Sequence, residues 1–384
     1  MKIERLYEAD PYIREFDARV MACEQVKDQY RILLDRTAFF PEGGGQPGDR
    51  GMIGEALIKD THEKDGMIWH YGDRMLNVGS EVHGKIDWDF RFSNMQNHAG
   101  EHIVSGLIHG KYGYDNVGFH MGSEAVTLDI NGELTKEQVK EIEKEANGAI
   151  EANIPIQVFI PEKRVLEQME YRSKKELDGD VRIVEISGYD RCACCGTHPL
   201  RTGEIRLIKI LSVQNYKGGV RIAMLAGNRA LEDYMDKHES VVDISHLLSS
   251  KTGEITGAVE RLLKEIGDLK YTMVQMKREI MEKKAEAQEI TGKAVCVEEN
   301  EFKGNELREY ANMLSERAEK VLAVSGGTDS QRRYVLIDKR GGAKTLGQEI
   351  QKLFGGKGGG SPQMIQGTMS GNFEEIKGWF EQHA

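Results

Sequence analysis

RFSNMQNHAGEHIVSGLIH, residues 91–109, divides the sequence into two textures. Met95, Ala99, His102, Ile103, Gly106 and Leu107 recur within it at the spacing of one helical face, so the segment predicts a helix. Before it, short strand-like runs at 30–34, 52–59, 67–71 and 81–88 are separated by glycine-rich turns, which predicts a small barrel or sandwich over residues 1–90. After it, strand-like runs at 125–130, 156–160, 181–186, 205–212 and 220–225 surround a second helical pattern at about 135–151. Thr135 opens that pattern, with Glu137 and Gln138 in its first turn. The expected class is α+β, with residues 91–249 forming a mixed α/β domain.

Helical signals continue from about 228 to 249, and then the pattern tightens. Ile255, Val259, Leu262, Ile266, Leu269, Met273, Met276 and Ile280 alternate at intervals of four and three. Such a narrow seam predicts a long coiled-coil helix over 250–290, and a homodimer through residues 255–280. Strand and helix signals alternate again from 291 to 384, a small C-terminal α/β domain.

The 384 residues carry 52 basic and 63 acidic side chains, a net charge of −11, so nucleic acid is not expected to bind over the whole surface. The excess is uneven. Between Gln331 and Gly360, Arg332, Arg333, Lys339, Arg340, Lys344, Lys352 and Lys357 face only Asp338 and Glu349, which makes this stretch the candidate for a phosphate backbone. No run approaches the roughly 18 apolar residues of a membrane span, and the first residues, MKIERLYEADPY, lack the apolar core of a signal peptide. A cytoplasmic protein without a membrane partner is expected. Of five cysteines three crowd into Cys192, Cys194 and Cys195, a pattern suited to metal or thiol chemistry and not to a disulfide framework.

His98 and His102 lie four residues apart in the helical segment and so project from one face. Cys194 and His198 have the same spacing in the loop RCACCGTH, and two such N/S donor pairs suit one tetrahedral Zn2+. Cys192 or Cys195 could take the place of Cys194. The same helix also reads H-x-x-E-H, the inverted metallopeptidase motif, with Glu101 as general base. Four available ligands would close the coordination position that peptide cleavage needs.

Two glycine-rich stretches complete the pattern. TAFFPEGGGQPGD, 37–49, offers glycines that let backbone N–H groups approach a ligand, together with the amide of Gln46. FGGKGGGSP, 354–362, could wrap a phosphate with Lys357 or be simply a mobile loop.

Taken in order, 37–51, 97–107, 194–204 and 355–366 resemble the editing and C-terminal domains of alanyl-tRNA synthetase, and most closely the freestanding alanyl-tRNA editing proteins of the AlaX type in their long form. The resemblance spans nearly the whole chain. It implies zinc on His98, His102, Cys194 and His198, an aminoacyl pocket lined by Gly44, Gly45 and Gln46, and Thr37 as the residue that senses a serine hydroxyl. It further implies a DHHA1-like C-terminal domain that grips tRNA, for which Arg332, Arg333, Lys352 and Lys357 are the candidate contacts. Asp190 is a further candidate for the pocket. In this loop Cys195 stands where the synthetase usually has glycine. The implied function is hydrolysis of mischarged tRNA(Ala), foremost Ser-tRNA(Ala) and also Gly-tRNA(Ala), with Thr37 and Gln46 as the catalytic pair. The competing readings are a zinc metallopeptidase and a non-catalytic tRNA-binding adaptor with structural zinc.

Overall fold

The computed structural model describes residues 3–173, 181–290, 292–326, 329 and 331–384. Thr291, at which the C-terminal domain is expected to begin, lies outside the described residues. The chain divides into two compact units, Met1–Asp243 and Ile244–Ala384, and the architecture of both is mixed α+β.

In the first unit, six strands close on themselves in the order Glu15–Val26, Gln29–Leu34, Met67–Gly72, Ala56–Lys64, Gly51–Ile53, Glu81–Ile86. The long first strand makes closure possible. Its residues 15–19 pair with the last strand and its residues 20–26 with the second, and a bulge between Val20 and Ala22 supplies the bend. Phe16, Ala18 and Val20 alternate inward along it to meet Ile32, Leu34, Phe39, Ile53 and Ile58 in the barrel core.

Asp87 then caps a helix, Trp88–Tyr112, by accepting from the Phe90 N–H at 3.2 Å. The helix ends at Gly113, whose φ of +70° lets its N–H return to the His109 carbonyl. Trp88 belongs to this helix and not to the preceding strand. Nearly every residue from Asn94 to Ile108 is buried, polar ones included, because neighbouring elements cover the helix on several sides. Those neighbours include the helix Lys136–Glu151, the short sheet containing Asp190–Ala193, and a four-stranded antiparallel sheet ordered Ile208–Tyr216, Gly219–Ala226, Val126–Ile130, Asn116–Met121. Thr135 and Gln138 form a reciprocal capping box at the start of Lys136–Glu151. Where a strand is expected from Ile205, a 3-10 turn occupies Thr202–Ile205 and the strand begins at Ile208.

The second unit holds a five-stranded sheet ordered Ala294–Glu299, Lys320–Ser325, Arg332–Asp338, Met364–Met369, Lys357–Gly360. The glycine tail is thus an edge strand from Lys357 to Gly360, paired with Met364–Met369, and not a loose loop. The helix Ile255–Ala287 anchors Met281 and Ala285 in the core of this unit. Along the seam, Val259, Leu262, Ile266, Leu269, Met273, Met276 and Ile280 are each more than a third exposed in the single chain.

Candidate metal centre

The histidine helix is fastened to the barrel by a buried ion pair. Arg91, without solvent exposure, donates through Nε to Asp49 Oδ1 at 2.9 Å and Oδ2 at 2.8 Å, and through its terminal nitrogens to the carbonyls of Pro11 and Ala38. Asp49 also accepts from the Phe40 N–H at 2.6 Å. The loop 38–49 is thereby held to the first turn of the helix.

Inside that loop the chain reverses over four residues. Gly43 and Gln46 exchange backbone hydrogen bonds of 3.0 Å, and the two residues between them, Gly44 and Gly45, have φ of +61° and +86°. Positive φ at both central positions explains the paired glycines. A Cβ on Gly45 would also sit 2.4 Å from the Phe119 ring. The turn aims Gln46 inward, where it is fully buried.

Three segments meet there. His98 and His102 from the helix, with Cys194 and His198 from the loop, bring one ligand atom each to within 4.8 Å of one another. Cys194 Sγ lies 3.4 Å from His98 Nε2 and 3.8 Å from His198 Nε2, and the three imidazole centroids are 4.7–5.2 Å apart. His102 Nε2 and His198 Nδ1 are buried without a hydrogen-bond partner. A buried orphan nitrogen is costly by itself, and three imidazoles converging on one sulfur suit a bound cation, so the residues fit a tetrahedral metal of the zinc type. Burial by itself would push the Cys194 thiol up, but the facing histidines outweigh it and hold the thiol well below its usual value, ready as thiolate. Burial drives His198 the other way, down to about 3, against the pull of the Cys194 sulfur.

The surrounding groups are equally specific. His102 Nδ1 is 2.7 Å from Asp190 Oδ2, and Arg172 donates to both oxygens of Asp190 at 2.7 and 2.9 Å. Asp190, expected in the substrate pocket, is therefore a buried support for His102, because both of its oxygens are already engaged. Cys192 lies beside this pair, whereas Cys195 is exposed and packs toward Gly43 and Gly44. Arg182 braces the cysteine loop by donating to the Cys194 and Gly196 carbonyls at 2.9 and 2.8 Å, and Phe119 stacks on His98.

Thr37 is fully buried, with Oγ1 at 2.8 Å from His70 Nε2 and accepting from the Phe39 N–H at 3.0 Å. Gln46 bonds to His98 and to Thr197, so its amide is engaged and not presented to a ligand. Glu101 is turned to Ser105 and Asn116, at 2.6 and 2.5 Å, outside the metal-ligating group. Among the tRNA candidates, Arg333, Lys352 and Lys357 are exposed, but Arg332 is not. Its side chain is 7% exposed and paired with Glu298 and Asp329, so it is an internal brace of the second unit and not a surface contact.

None of Arg91, Arg172, Arg182 or Thr197 stands out in the sequence as a site residue. For Arg91 the one available signal is its position in the first turn of a helix that carries the histidine pair.

Comparison with known proteins places the chain among tRNA synthetases and alanyl-tRNA editing proteins. Family models match at residues 11–90, described as tRNA synthetases class II (A), and at 181–223, described as the threonyl and alanyl tRNA synthetase second additional domain. The alanyl-tRNA editing protein AlaX-L of Pyrococcus horikoshii is 30% identical across 97% of this chain and 96% of its own length. Alanyl-tRNA editing protein Aarsd1-B of Xenopus laevis is 29% identical over 88% of this chain and 84% of its own. The alanine--tRNA ligase of Methanoregula boonei is 34% identical over 95% of this chain, which spans 41% of that longer protein.

Proposed function

The chain belongs to the alanyl-tRNA editing proteins, and from that premise we propose that it is an aminoacyl-tRNA deacylase that removes the wrong amino acid, serine foremost and glycine second, from tRNA(Ala) in trans. The observation that carries the reading is the convergence of His98, His102, Cys194 and His198 from two distant segments. One zinc ion per chain would be held by these four residues, and with all four positions taken by protein it would supply a fixed framework for the 3′ end of the tRNA.

The remaining work falls to the protein. An aminoacyl ester is already activated, so orientation beside a held water supplies much of the rate. His70 Nδ1 lies 3.0 Å from the Ile32 carbonyl, which can only accept, so that nitrogen carries the ring hydrogen and Nε2 takes the proton of Thr37. Toward a ligand, Thr37 can then only accept. Such an oxygen suits the hydroxyl of a seryl ester and offers nothing to the methyl of an alanyl ester. Gly44 and Gly45 line the pocket in this reading.

The exposed Arg333, Lys352 and Lys357 would meet tRNA phosphates from a DHHA1-like second unit, and the exposed seam at 255–280 would pair two chains. Among the described residues no helix is long and apolar enough to cross a membrane. A metallopeptidase would need Glu101 as base, and its carboxylate is engaged with Ser105 and Asn116.

Purified protein should be tested on serine-, glycine- and alanine-charged tRNA(Ala) without synthetase. Rapid loss of serine with alanine spared is the expected result. Binding of tRNA with no deacylation would replace this reading with a tRNA-binding adaptor.

A further inference from the structure

Gln46, which is not itself one of the four candidate ligands, bonds both to a ligand of the candidate metal centre on the histidine helix and to the cysteine loop. Its Oε1 is 2.9 Å from His98 Nδ1 and 3.2 Å from the Thr197 backbone nitrogen, and its Nε2 is 2.8 Å from Thr197 Oγ1. The orientation of the amide follows from chemistry. A backbone N–H can only donate, so the atom facing Thr197 N must be the carbonyl oxygen. That same oxygen faces His98 Nδ1, which must then carry the ring hydrogen. His98 is thereby held in the tautomer whose lone pair lies on Nε2, the nitrogen 3.4 Å from Cys194 Sγ.

We infer that Gln46 is a positioning residue of the metal centre. It fixes the tautomer and ring angle of His98 directly, and it holds His198 through Thr197, the residue before it. The inference rests on the metal reading given above but gives Gln46 a role other than contact with the amino acid. Two further facts support it. Gln46 is fully buried with both ends of its amide engaged. The packing around it is also tight, since a Cβ on Gly196 would lie 2.3 Å from His98 Cε1 and 3.0 Å from Gln46 Oε1. Because Gln46 closes the turn that begins at Gly43, the glycine loop and the metal ligands share one amide as their link. Loss of metal should therefore loosen residues 43–46 as well as the ligands.

Zinc affinity is the discriminating quantity, measured by chelator competition on the full chain. Removing the partner of a metal-bound histidine commonly costs about 10–100-fold in affinity. Gln46→Ala should show a loss of that size, and Gln46→Glu, which still accepts from both donors, should return affinity to within about threefold of wild type. In zinc-saturated protein the preference for seryl over alanyl ester should survive Gln46→Ala. Wild-type zinc affinity in Gln46→Ala together with lost preference would overturn the inference and make Gln46 a substrate contact. Failure of the wild-type chain to bind zinc would instead overturn the metal reading itself.

A second measurement needs no variant. Imidazole 15N chemical shifts of the zinc-loaded wild-type protein should show His98 protonated at Nδ1 and metal-bound at Nε2; the reverse assignment would refute the positioning role even if Gln46→Ala failed to fold.

Discussion

Replacing Arg91 by methionine probes the joint between the barrel and the histidine helix. Arg91 and Asp49 are both inaccessible to solvent, and the guanidinium also serves two carbonyls, Pro11 and Ala38. Removing one member of a buried ion pair costs about 3–5 kcal/mol, because the other charge stays buried without compensation. For a unit of this size each kcal/mol moves the melting temperature by roughly 2–4 °C, so a drop of roughly 6–20 °C is expected. Urea unfolding is the assay, followed by tryptophan fluorescence in a Trp379→Phe background so that Trp69 and Trp88 report the first unit alone. Asp49→Leu combined with Arg91→Met should recover much of the loss, since a buried pair replaced whole by apolar groups is close to neutral. Recovery should stop about 1–3 kcal/mol short, the cost of leaving the Phe40 N–H without its acceptor. A single variant that loses less than about 1 kcal/mol, or a double variant no better than the single, would refute the reasoning.

Burial pushes His70 down to about 4, so the unfolded chain takes its proton first as pH falls. Its contribution is complete above the ordinary histidine value near 6.5 and declines toward pH 4 by about 3 kcal/mol, a slope that His70→Gln should remove from urea midpoints taken at pH 7 and 4.5. Arg332→Ala should destabilise the second unit by about 1–2 kcal/mol, since the carboxylates it leaves behind, Glu298 and Asp329, are partly open to water, while leaving the tRNA affinity of folded protein intact. Lys357→Glu should do the reverse, leaving the unfolding curve in place and weakening tRNA binding with a shallower salt dependence; equal affinities of variant and wild type at low salt would remove Lys357 from the interface. Thr135→Ala should cost about 1 kcal/mol through loss of the capping box, and an unchanged midpoint would show that tertiary packing carries this helix end.

Elements with a strong local period were readable in the sequence. The helix Lys136–Glu151 falls on the pattern expected at about 135–151, and Thr135 announces its cap. The strand Glu15–Val26 escaped although Phe16, Ala18 and Val20 alternate, because the charged Glu15, Asp17 and Arg19 fill the positions between them. What spacing could not reveal was which polar groups spend their hydrogen bonds inside. Gln46 meets Thr197 across 151 positions, and Arg332 meets Glu298 across 34. A cation or an amide reads alike in sequence whether its partner is a ligand or another part of the chain, and only the fold supplies the partner.

The spread of the four candidate metal ligands along the chain would set an order of events during synthesis. His98 and Cys194 are separated by 96 positions, and at about 5–20 residues per second the ribosome spends roughly 5–20 s between them. Through that interval the barrel can close and the nascent helix can present its two imidazoles, but a tetrahedral ion has only half of its donors. Two histidines without the thiolate discriminate poorly among divalent ions and follow the general affinity order, in which copper stands above zinc. On the proposed zinc reading, selection of the ion would come late, with the arrival of the cysteine loop.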